Sequence, residues 1–106
     1  MASITPGGMT DPDSALAAFL DKARDRLRPR LLGSRVSDVE VQISHEEHRR
    51  FVTVTWTISG QRQRVRREIF IDEQSASLDG METVDLSGFP EWGVMELEIA
   101  VWGALH

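Results

Sequence analysis

Two stretches of this chain alternate residue by residue, FVTVTWTI (51–58) and RQRVRREIFI (62–71), and Gly60 stands between them. No other feature limits the fold as tightly. A period of two sends successive side chains to opposite faces of a strand, and a glycine between two such strands marks a tight hairpin. A two-residue loop at Gly60–Gln61 pairs Ser59 with Arg62, Thr57 with Arg64, Thr55 with Arg66 and Thr53 with Glu68 on one face. The other face then pairs Trp56 with Val65 and Val52 with Ile69. Threonines and arginines share the outer side, and apolar residues share the inner side. Arg67 breaks the pattern, because its parity points it inward, opposite Val54.

The flanking segments extend this hairpin into a sheet with helices. In VSDVEVQIS, Val39, Val41 and Ile43 alternate with Asp38, Glu40 and Gln42, which predicts a half-buried strand joined to the hairpin by the polar run HEEHRR. Ahead of it, DPDSALAAFLDKARDRLRPRLLG predicts a helix capped by Asp11 or Asp13, with Pro12 in its first turn. Leu16, Phe19, Leu20, Ala23 and Leu27 form its apolar stripe. Pro29 is expected to end or kink it at Arg28, after which Leu31 and Leu32 tuck under the body and Gly33 opens a turn. Beyond Asp72, EQSASLDG reads as a loop, and METVDLSG reads as a short fourth strand with Val84 and Leu86 inward.

The tail FPEWGVMELEIAVWGALH fits two structures. As a helix begun near Pro90 it aligns Trp92, Met95, Ile99 and Trp102 on one stripe; as a strand it alternates Met95, Leu97, Ile99 and Val101 with Glu96 and Glu98. Proline near the start and the content of Ala, Met, Leu and Glu favour the helix. The expected fold is therefore α+β. An antiparallel sheet of three or four strands carries an N-terminal and a C-terminal helix on one face, in the order α-β-β-β-(β)-α, with a C-terminal strand as the alternative. The order resembles that of double-stranded RNA-binding domains, which bring a lysine-rich start of their second helix to the phosphates. The corresponding stretch here, SGFPEWGVMELE, carries acids and no base, so no binding residue carries over.

At 106 residues the chain makes one domain, expected over 11–106 behind a disordered leader at 1–10 that contains Pro6, Gly7 and Gly8. It has no cysteine, which excludes disulfides, thiolate catalysis and cysteine-held metals. No apolar run approaches the ~20 residues of a membrane span, and no secretory leader is visible, so no membrane association and a cytoplasmic location are expected. Net charge is −5, unevenly placed: all 12 Lys and Arg lie within residues 1–70, and residues 71–106 hold acids only.

Arg62, Arg64 and Arg66 form a comb of guanidinium forks spaced about 6.6–6.8 Å along one strand face, a geometry suited to phosphates or carboxylates. The favoured expectation is plainer: a solvated or aggregation-guarding face, or one neutralised by the acid-rich C-terminal third. Only threonines interleave with the comb, so the aromatic platform of single-strand binders is missing and nucleic acid is not an expected partner. His45, Glu46, Glu47 and His48 offer ligand atoms, yet the two histidines are one residue short of a helical turn and sit in a turn region, so no metal site is expected. No tyrosine, phosphate loop or catalytic triad pattern appears, and no cofactor is expected.

These absences, the bipolar charge and the aromatic acidic tail favour a non-enzymatic protein-interaction module of the inhibitor, immunity, chaperone or adaptor type. Its expected partner is a protein, with a basic one suiting the tail and a homodimer also open. Trp92, Glu96, Glu98 and Trp102 are the candidate contacts. The alternatives are anion or nucleic-acid binding through Arg62, Arg64 and Arg66, and a small-ligand or enzymatic cup between Trp56, Trp92 and Trp102.

Overall fold

The computed structural model describes residues 11–32, 35–80 and 82–105, with the side chains of 30–32 left aside. The leader expected at 1–10, the side chains of Leu31 and Leu32, and Gly33 lie outside the described residues. The elements are α1 (Pro12–Leu32), β1 (Val36–Glu46), β2 (Arg49–Ile58), β3 (Gln61–Ile71), β4 (Ser75–Leu78), β5 (Val84–Asp85) and α2 (Phe89–Leu105). The strands make one antiparallel meander in chain order, and both helices pack on one face of it, giving an α+β fold.

Helix α1 starts where the cap chemistry places it. Asp11 Oδ1 accepts the Ser14 N–H at 2.7 Å, and the Asp11 carbonyl accepts the Ala15 N–H at 3.0 Å. The Ser14 N–H, helped by the Ser14 hydroxyl and the Asp13 N–H, holds the Asp11 carboxyl below its ordinary range. Leu16, Phe19, Ala23 and Leu27 are buried as the stripe requires, Leu20 packs against the core at its margin, and Ala15 joins them. The helix does not stop at Arg28. It runs through Pro29 to Leu32. Pro29 and Asp25 are both exposed, so the carbonyl that loses its N–H partner at this point faces solvent.

The β2–β3 hairpin closes over Ser59–Gly60, one residue earlier than Gly60–Gln61. Val54 therefore faces Val65, Thr57 faces Arg62 and Val52 faces Arg67. Ser59 and Gly60 both have positive φ, 53° and 76°, as the favoured hairpin turn demands at its two central positions. A loop over Gly60–Gln61 would put that demand on Gln61. Moving a turn by one residue slides the register by two, and a slide of two leaves every side chain on its own face. Ser59 bears the strain of this turn, so Ser59→Asn is expected to raise stability by roughly 0.5–1 kcal/mol in urea unfolding. An unchanged or lower midpoint would contradict this account of the turn.

Residues 75–78, expected as loop, are strand β4. Asp72 Oδ1 accepts the N–H groups of Gln74 and Ser75, each at 2.8 Å, and turns the chain back within three residues. Leu78 then meets Ile69, and Ala76 meets Ile71 and Val84.

The tail is helix α2, and the stripe Trp92, Met95, Ile99 and Trp102 is not its buried side. Phe89, Val94, Leu97 and Val101 face the core, while Met95 and Ile99 face solvent. The pairs Phe19–Phe89, Lys22–Glu91 and Arg26–Glu98 advance together along both helices, so α1 and α2 run parallel. They touch closest at Gly93, where a Cβ would lie 2.9 Å from Phe19 Cε1. Below them Trp56 is fully buried, and its indole N–H finds no acceptor among the described residues.

Candidate functional site

On the solvent side of α2, Trp92, Met95, Ile99 and Trp102 follow one another at steps of three, four and three residues. This is the spacing of the a and d positions in a coiled coil. Met95 is 50 % exposed and Ile99 63 %, and the two tryptophans are half-buried at the ends of the row. A helix that is apolar on its outward side as well as its inward side has more apolar surface than its own domain covers.

Charged groups flank this seam. On the α1 side, Glu91 lies 3.6 Å from Lys22, and Glu98 lies 3.2 Å from Arg26. Glu98 is only 7 % exposed, which places it in the seam between the helices, among the groups that hold the domain together. On the other side, a groove of about 250 Å³ runs between α2 and strands β3 and β4. Ile99, Ala100 and Leu78 supply its apolar wall, and Arg67, Asp79 and Glu96 its polar rim. Arg67, whose parity points inward, is accommodated here: it sits at the sheet margin 3.8 Å from Asp79. Glu96 makes no ion pair among the described residues.

The arginine comb lies on the opposite face of the sheet and is largely occupied by its neighbours. Arg62 Nη1 donates to the Asp38 carbonyl at 2.8 Å and to Thr57 Oγ1 at 3.0 Å, and its Nη2 donates to Thr55 Oγ1 at 3.1 Å. Glu40 stands 3.6 Å away. The Asp38 carbonyl belongs to a bulge between Ser37 and Glu40, so Arg62 also pins the irregular start of β1. Arg66 pairs with Glu46, and its guanidinium lies 3.8 Å from the centroid of the Phe51 ring. Arg49 covers the same ring at 5.0 Å and grips Glu68 with two hydrogen bonds of 2.9 and 2.7 Å. That fork holds the Glu68 carboxyl below the usual glutamate range and raises Arg49 in turn. Phe51 is thus buried on the outer face under two guanidinium groups. Only Arg64 in the comb has no hydrogen bond or ion pair among the described residues. Arg62 and Arg66 of the comb are balanced by β1, through Glu40 and Glu46, while Glu68 of β3 is taken by Arg49. Of the C-terminal third, β4 and β5 belong to the sheet itself and α2 packs on its far side.

At the hairpin tip, His45 Nε2 accepts from Arg50 Nε at 3.0 Å, while Glu47 and His48 form the turn. His48, Arg50, Phe70 and Ser77 line an open groove of about 320 Å³. Glu68 also lines it, already gripped by Arg49. Among the described residues no group of three or more His, Asp or Glu is placed to hold a metal ion. The three tryptophans have separate roles, Trp56 in the sealed core and Trp92 and Trp102 on α2. No helix among the described residues is long and apolar enough to cross a membrane.

Sequence reasoning aligned Met95 and Ile99 with Trp92 and Trp102 on one helical stripe, without saying which side of the helix the core covers. The signal that marks them as surface is the sharing of Val94, Leu97 and Val101 by a second row one position away, which α1 and the sheet can bury only once. No family model, curated protein or solved structure matches this chain.

Proposed function

We propose that this chain is a non-enzymatic protein-interaction module whose docking face is the outer side of α2. The observation that carries the reading is the exposed row Met95 and Ile99, bounded by Trp92 and Trp102. Aromatic and long apolar side chains at the centre of a patch are the groups that dominate binding energy once a partner excludes water. Glu96 contributes at the rim, whereas Glu98 supports the site from beneath by tying α2 to Arg26. The comb supports this reading from the other side, because Arg62 and Arg66 already satisfy themselves on neighbouring strands.

Affinity capture from the native host tests the proposal with three baits: the parent chain, Met95→Ser/Ile99→Ser, and Arg62→Gln/Arg64→Gln/Arg66→Gln. Both substituted α2 residues are exposed, so thermal unfolding should stay near that of the parent. The expected result is a protein, identified by mass spectrometry and rebound in purified form, that the parent and the arginine variant hold and the α2 variant loses. Partners lost only from the arginine variant, or nucleic acid in the eluate, would move the function to the opposite face.

A further inference from the structure

Building on the proposed docking face, we infer that its occupant is an amphipathic α-helix with apolar a and d positions and Lys or Arg flanking them. The row at Trp92, Met95, Ile99 and Trp102 has the step pattern by which one helix receives another, each side chain entering a hole between four residues of the partner. The groove beside Ile99 and Ala100 continues the apolar surface toward Leu78 and offers room for side chains from such a helix.

The flanks select the charge. The positions bordering the row in α2 are Glu91, Glu96 and Glu98, and α2 has no basic residue in its last turn. Lys22 and Arg26 of α1 already answer Glu91 and Glu98. Glu96 stands on the other side with no ion pair of its own among the described residues. The unbalanced charge at the face is therefore negative among the described residues, and the negative end of the α2 dipole, with no basic residue in its last turn, adds to it. A basic flank on the incoming helix meets both. A second copy of this chain fits poorly, because an antiparallel α2 pair sets Glu96 against Glu96, and a parallel pair sets it against Glu91. No Lys or Arg occurs in residues 71–106 to relieve that repulsion.

The test uses the full chain and two synthetic helical peptides of about three heptads, lacking tryptophan, with Leu and Ile at a and d. One carries Lys at its flanking positions and the other Glu. Binding is followed by the fluorescence of the chain's tryptophans, and self-association by sedimentation. The expected result is a monomeric chain that binds the Lys peptide at least ~10-fold more tightly than the Glu peptide at low salt, with the ratio shrinking as salt rises. Glu96→Lys should reduce or reverse the preference, and Ile99→Ser should weaken both peptides. Equal binding of the two peptides would overturn the charge selection and leave the docking face standing. Failure of both peptides, while the captured partner still depends on Met95 and Ile99, would overturn the helical occupant alone. Self-association abolished by Ile99→Ser would give the face to a second copy of this chain. Neither peptide binding and no partner lost from the α2 variant would end both readings.

Discussion

Trp56→Ala is expected to cost about 3–5 kcal/mol in equilibrium unfolding, the range for losing a large buried aromatic and leaving a cavity. Trp56 is among the largest fully buried side chains, on the inner face of the central hairpin between Val54 and Ile58 and beneath the helices. The core it belongs to is itself sealed, with Phe19, Val54 and Leu97 at zero exposure, so little can move in to fill the space. Trp56→Phe should cost much less than the alanine change. It keeps a ring in place and removes an indole N–H that has no acceptor among the described residues, and a buried donor of that kind costs ~1–3 kcal/mol. Similar losses for phenylalanine and alanine would show that the indole N–H is satisfied. A loss below about 1 kcal/mol for alanine would place Trp56 outside the core.

Gly93→Val should destabilise by ~2–3 kcal/mol, near the upper end for overpacking. Two effects oppose each other at this position. Replacing a mid-helix glycine gains a few tenths up to about 1 kcal/mol of helix propensity. Against that, the first added carbon would sit 2.9 and 3.0 Å from two carbons of the Phe19 ring and 3.2 Å from the Phe89 ring. Both rings have zero exposure, and their centroids are 5.0 Å apart, so neither has space to yield. Overpacking wins, and Gly93→Ala should show the same sign at smaller size. Gly103 is the control. A Cβ there meets nothing within 4 Å, so Gly103→Ala should stabilise by up to about 1 kcal/mol. A stabilising Gly93→Ala would mean that the helices can part slightly without loss.

The parts of the fold that were legible in the sequence are those with a single clean period. Leu16, Phe19, Ala23 and Leu27 of the α1 stripe and the inward set Val52, Val54, Trp56, Val65 and Ile69 are buried as their spacing demands, with Leu20 partly buried at the margin. Alternation fixes which face a residue occupies, whereas the partner across the strand depends on where the turn falls, and one shifted glycine position moved every partner by two. Strand β4 escaped because four residues, Ser75 to Leu78, are too few to show a period. The orientation of α2 escaped for the opposite reason. Apolar residues surround it, so two stripes compete, and only the shape of the sheet and α1 decides which one is covered. Of the candidate contacts, Trp92 and Trp102 border the exposed row, Glu96 lines the groove beside it, and Glu98 is taken by Arg26.

The parallel contact between α1 and α2 has a consequence in time. Arg26 and Glu98 are 72 positions apart along the chain, with the whole meander between them, while each hairpin joins close neighbours in sequence. Closing a long loop is slow compared with folding a hairpin. The strands should therefore associate first, and the helices should latch afterwards. Interactions that form after the rate-limiting step govern how fast a protein falls apart more than how fast it assembles. Arg26 and Gly93 then act as a clasp, and loosening them should shorten the lifetime of the folded chain while leaving its folding rate nearly untouched.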